Sequence, residues 1–109
     1  MNRIPVSRSY AMTVAERLRG KLAEKNIPMR QMFVFGSAVR GGTHAWSDID
    51  IAVICDPFLK SRMDEMHACS REGRAIDPRV EVIYLRPDDL NNRYSTIVQE
   101  VKRYGVPVW

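Results

Sequence analysis

The 109-residue chain has no run approaching the roughly 20 uninterrupted apolar residues of a membrane-spanning helix, and its opening stretch MNRIPVSRSY lacks the apolar segment of a secretory signal. The expected compartment is therefore cytoplasmic, with no membrane partner. Cysteine is scarce. Cys55 ends an apolar run and Cys69 sits in a polar helical stretch, so neither spacing nor compartment argues for a disulfide, and both are expected as free thiols. His67 and Cys69 stand two apart on a predicted helix and cannot face one another, which argues against a zinc site. No Gly-Lys-Ser/Thr follows the glycine of the one phosphate-suited turn, so it is not a Walker A loop. Repeats, low-complexity tracts and linkers are also missing, and the length suits one domain over residues 1–109. The formal charge of +4 would suit an anionic ligand such as a nucleotide, but the positive residues are dispersed, so nucleic acid binding is not indicated.

What the chain does contain is an ordered series of helical and extended patterns. Ser9 can cap a helix in which Ala11, Val14, Ala15, Leu18, Leu22 and Ala23 recur at helical spacing, closed by KNIP. Gln31–Phe35 reads as a short buried strand that stops at Gly36, and Asp48–Ile54 as a second. The stretch after Pro57 predicts a helix with Phe58 or Leu59, Met63, Met66 and Cys69 or Ser70 at helical intervals, with the two methionines in the core. Arg79–Leu85 is the third predicted strand. A last helix is expected within PDDLNNRYSTIVQEVKRYG, carrying Tyr94, Ile97, Val98 and Val101 on one side.

The second strand poses a question, because Asp48 and Asp50 lie two apart on it. Side chains at that spacing share a face, here with Ala52 and Ile54, while Ile49, Ile51 and Val53 line the other. Two carboxylates side by side in an apolar setting repel unless a cation neutralises them, and oxygen ligands favour Mg²⁺ or Mn²⁺. The preceding turn suits the phosphates such a cation would accompany. Gly36 permits close backbone approach, Ser37 adds a hydroxyl, Arg40 lies one turn further on, and Gly41-Gly42 ends the short helix. His44 and Trp46 fall in the loop between turn and strand, where a tryptophan reads first as a packing anchor.

Gly36-Ser37, ten intervening residues and then Asp48-x-Asp50 on an apolar strand resemble the signature of the polymerase-β-like nucleotidyltransferase superfamily, in particular its minimal, single-domain, antitoxin-like members. The resemblance implies an α/β (α+β) fold, a small mixed β-sheet covered by helices. It also implies a third carboxylate on the next strand. Glu81 stands there, sharing a face with Ile83 and Leu85, whereas Asp77 precedes Pro78 and reads as a turn residue. In this family's mechanism Asp48, Asp50 and Glu81 hold Mg²⁺ or Mn²⁺, Glu81 draws the acceptor proton, Gly36, Ser37 and Arg40 hold the phosphates of ATP, and Ser47 supports the loop. The resemblance further implies a HEPN-domain partner protein, whose toxicity is blocked by attachment of AMP. Two other readings keep the fold: a catalytically weak nucleotide-binding module that neutralises its partner by contact through VPVW and Trp109, and a homodimer acting on a small molecule.

Overall fold

The computed structural model describes residues 6–41 and 48–109. The first helix, α1 (Arg8–Glu24), is capped by Ser7, whose hydroxyl accepts a 3.0 Å hydrogen bond from the Tyr10 N–H. The cap is thus Ser7, and Ser9, expected in that role, lies inside the first turn. Starting the helix at Arg8 lets Val6, just before the cap, and Ala11, four residues after it, enter the same core, an apolar pairing that fixes the entry of the chain. Val14, Ala15, Leu18 and Leu22 continue the buried stripe, while Ala23 is exposed.

Strand β1 (Met29–Phe35) starts two residues earlier than the pattern suggested and runs into the four-residue helix α2 (Ser37–Arg40). Strand β2 (Ile49–Cys55) follows, with Asp48 immediately before it. It pairs antiparallel with β1, Phe35 opposite Asp50. Helix α3 (Arg62–Ile76) then carries the chain across to β3 (Val80–Leu85), which pairs parallel with β2 so that Asp50 lies opposite Glu81. A 3₁₀ turn (Pro87–Asn91), helix α4 (Thr96–Tyr104) and a two-residue strand β4 (Val106–Pro107) complete the chain. The strand order is β3-β2-β1-β4, a mixed sheet, as expected. The two-residue β4 pairs antiparallel with β1 and is too short to show any period in sequence.

Helices cover both faces. Against α1 and α3 lie Met32 and Val34 of β1, Ile49, Ile51, Val53 and Cys55 of β2, and Val80, Val82 and Tyr84 of β3, the alternate residues of each strand. On the opposite face α4 lays Val98 and Val101 over Phe35, Ala52, Ile54 and Leu85. Cys55 and Cys69 are both buried free thiols. That opposite face is apolar only where α4 covers it; the end of the sheet carrying Asp50 and Glu81 lies beyond.

Two expected helices change shape. The last splits because the Asn92 side chain accepts from the Tyr94 N–H and Ser95 caps a fresh start by accepting from the Val98 N–H. Tyr94, at 84% exposure, is therefore outside the helix, and Ile97 sits at its wet margin at 39%. In α3 the methionines are not core: Met63 is 62% and Met66 37% exposed. The helix packs instead through Glu65, Cys69 and Gly73, and a Cβ at Gly73 would stand 2.8 Å from Val80 Cγ1. Small residues bring α3 close to the sheet, and the methionine stripe turns to solvent.

A glutamate occupies that close contact. Glu65 is fully buried and accepts from the Phe58 and Leu59 N–H groups, the Tyr84 hydroxyl at 2.7 Å and Arg86 Nη2 at 2.7 Å. These donors come from the loop before α3 and the end of β3, so one carboxylate ties three segments together. Burial on its own would raise Glu65, but the donors outweigh it and hold the carboxyl down at about 2. Asp77 forms a second such latch, accepting from Tyr10 Oη at 2.7 Å and Arg79 Nη2 at 2.8 Å. Arg79 beside it is the main reason its carboxyl stays well below the usual range.

Candidate active site

The site begins at Gly36, where the backbone turns out of β1 with φ +75°. Glycine is required there twice over. The left-handed φ disfavours any side chain, and a Cβ at this position would collide with Asp50 Oδ2, so the absent side chain is what lets Asp50 lie against the turn. Ser37 opens α2 at a half-buried position directly after this turn.

Pairing of β2 with β3 supplies the rest of the acidic cluster. Because Asp50 and Glu81 are register partners in a parallel pair, their side chains emerge side by side on one face, and Asp48 precedes them on the same side. One carboxylate oxygen from each of Asp48, Asp50 and Glu81 lies within 4.8 Å of the other two. Asp48 and Glu81 are exposed and Asp50 is half-buried. Burial foremost, then the charges of Glu81, Asp48 and Glu100, push the Asp50 carboxyl up to about 6. Three oxygen donors this close, without histidine or cysteine among them, fit a hard divalent cation of the Mg²⁺ or Mn²⁺ class, and such a cation would relieve the repulsion that Asp50 carries.

The remaining expected residues are placed unevenly. Arg40 stands at the end of α2, but its guanidinium pairs with Glu100 at 3.0 Å and lies 4.7 Å over the Tyr104 ring. Both partners belong to α4, four residues apart and so on one side of that helix. Sequence reading missed them. The signal was a glutamate and a tyrosine at that spacing in a helix otherwise read only for its apolar side. Ser47, His44 and Trp46 lie outside the described residues. Asp77, the alternative to Glu81, is engaged in its latch with Tyr10 and Arg79 and is not part of the cluster.

Among the described residues no helix is long and apolar enough to cross a membrane. The family model for the nucleotidyltransferase domain matches residues 15–107. Protein adenylyltransferase MntA of Shewanella oneidensis is 31% identical over 90 residues; the match takes in 82% of this chain, which spans 60% of that protein's length. A Sulfolobus solfataricus structure assigned as a nucleotidyltransferase shares the fold, with a TM-score of 0.67 at 20% identity over 94% of this chain and 82% of that one. A toxin–antitoxin structure with AMP-PNP aligns with a TM-score of 0.57 at 29% identity, over 86% of this chain and 72% of that one. With the Gly36-Ser37 turn packed against a three-carboxylate cluster on such a sheet, the chain belongs to the nucleotidyltransferase domain family.

Proposed function

We propose that this chain, as one minimal domain over residues 1–109, transfers AMP from ATP to a hydroxyl group of a HEPN-type partner protein within a toxin–antitoxin pair. The observation that carries the reading is the meeting of Asp48, Asp50 and Glu81 beside the Gly36-Ser37 turn. The 31% identity to a protein adenylyltransferase and the likeness to a toxin–antitoxin structure with AMP-PNP support the choice of nucleotide and of acceptor class.

Divalent ions of the Mg²⁺ or Mn²⁺ class, held by Asp48, Asp50 and Glu81, would supply neutralisation of the triphosphate and Lewis acidity at the α-phosphorus. The chain's own residues do the rest. The Ser37 hydroxyl and the backbone around Gly36 hold the phosphates. Arg40 exchanges Glu100 for a phosphate oxygen. Glu81, an exposed member of the cluster, accepts the proton of the incoming hydroxyl; its oxygen bonds to the α-phosphorus as the bond to pyrophosphate breaks.

Calorimetric titration with a non-hydrolysable ATP analogue tests the nucleotide half. Binding is expected with Mg²⁺, and not without it or in Asp48→Asn/Asp50→Asn; binding unchanged in that variant would sink the metal site. Intact mass of a co-expressed HEPN protein tests the acceptor half, with an added AMP expected for wild type only. A second reading, neutralisation by contact alone, is favoured by the 86% exposure of Trp109, and it predicts neutralisation that survives Asp48→Asn/Asp50→Asn and fails in Trp109→Ala.

A further inference from the structure

Beside Glu81 the surface opens into a cleft of about 530 Å³ between α3 and the edge strand β3, lined on the helix side by Met66, His67, Ser70, Arg71 and Arg74. Residues 63, 66, 67, 70, 71 and 74 recur at intervals of three and four, so they form one continuous stripe along α3. This is not the stripe that packs on the sheet, which runs through Glu65, Cys69 and Gly73. Its chemistry is graded. Exposed thioethers of Met63 and Met66 lie toward the start of α3, while Arg71 and Arg74 lie toward its end, where the chain turns back into β3 and Glu81. Neither arginine has a carboxylate partner among the described residues, so both guanidinium groups are open to an anionic ligand.

We propose that this cleft seats the acceptor, and that the acceptor is an extended acidic segment of a partner polypeptide whose hydroxyl-bearing side chain reaches Glu81. The inference rests on the nucleotidyl transfer proposed above and names the segment which that reaction modifies. Charge selects the occupant: carboxylates are drawn to Arg71 and Arg74 and repelled at Glu81, so the residue placed at Glu81 is a neutral alcohol or phenol with acidic neighbours on the α3 side. Shape selects it as well. Strand β3 pairs only with β2 among the described residues, leaving an edge whose backbone groups suit an extended polypeptide, and the methionines offer adaptable apolar contacts.

The probe is a short fluorescein-labelled peptide of Asp and Glu around one Tyr, followed by anisotropy on the full chain, with a single-stranded RNA as competitor. Wild type is expected to bind the peptide, and Arg71→Glu/Arg74→Glu to weaken it by about tenfold or more. Arg8→Glu/Arg17→Glu makes the same change in net charge on exposed α1 positions and is expected to leave binding intact. Absence of binding by wild type, equal loss in both arginine pairs, or displacement by RNA more effective than by unlabelled peptide would overturn the proposal. Mg²⁺-dependent nucleotide binding, measured separately, is expected to be equal in wild type and Arg71→Glu/Arg74→Glu. Failure of wild type in that assay counts against the transfer reaction, whereas failure of the charge reversal to weaken the peptide counts against the cleft.

Discussion

Glu65 and Asp50 lie on opposite faces of the same sheet, and burial acts on both in the same direction, yet their carboxyl groups end on opposite sides of the ordinary range. Glu65 is the more deeply buried and is held at about 2; Asp50 is half-buried and pushed up to about 6. Donors make the difference. Glu65 receives two backbone N–H groups, a phenol and a guanidinium, whereas among the described residues Asp50 receives no hydrogen bond and faces Glu81, Asp48 and Glu100. Depth does not decide whether a buried acid stabilises a fold; the charges and dipoles around it do. One face of the sheet uses a carboxylate to lock the architecture. The other gathers its carboxylates against one another at a wet edge, a state suited to receiving a cation.

The sharpest way to break this contrast is to remove its stabilising half. Glu65→Ala leaves Arg86, Tyr84 and two N–H groups without their acceptor and is expected to cost about 3–5 kcal/mol in urea denaturation. A loss below about 1 kcal/mol would show that the network is incidental. Gly36→Ala attacks the other half, combining an unfavourable φ with a collision against Asp50; a loss of about 2 kcal/mol and weaker Mg²⁺ binding are expected by thermal denaturation and calorimetry.

The two acids should also pull stability in opposite pH windows. Asp50 has a folded pKa of about 6 against an ordinary 3.8, so in metal-free protein its cost is absent below the lower value and grows as pH rises through the higher one. Glu65, lowered from 4.5 to about 2, contributes stability above 4.5 that is lost as pH falls toward 2. Asp50→Asn is therefore expected to gain about 1 kcal/mol near pH 8, after solvent screening, and almost nothing near pH 4. A stabilisation equal at both pH values would assign the gain to something other than charge. Smallest is Tyr84→Phe, which deletes one donor to Glu65 and should cost about 1 kcal/mol and move the acid-side transition to higher pH.

Asp48, Asp50, Gly36 and Glu81 were legible because each breaks a simple pattern: charges two apart in an apolar strand, a glycine at a strand end, an acid on a face shared with Ile83 and Leu85. The three longer strands and α1 follow from periodicity in the same way. What stayed hidden depends on contacts between segments distant in sequence. Nothing near Glu65 announces that Tyr84 and Arg86 will meet it, so a buried glutamate reads as an exposed helical charge, and the rotation of α3 that exposes Met63 and Met66 is hidden with it. Arg40 was identified as a cation near the turn, but its pairing with Glu100 and stacking on Tyr104 require α4 to fold back over the sheet. Ser7 and Ser9 are equally able caps locally, and only the burial of Val6 decides between them.

The parallel register of β2 and β3 has a further consequence. Because side chains alternate, sliding β3 by one position would point Glu81 into the layer beneath α3 and lift Val80 or Val82 into its place. The acidic cluster therefore cannot be assembled by a chain that has paired these strands wrongly. A carboxylate meant for chemistry also proofreads the fold, and an ion bound across Asp50 and Glu81 would act as a staple recognising only correctly aligned strands.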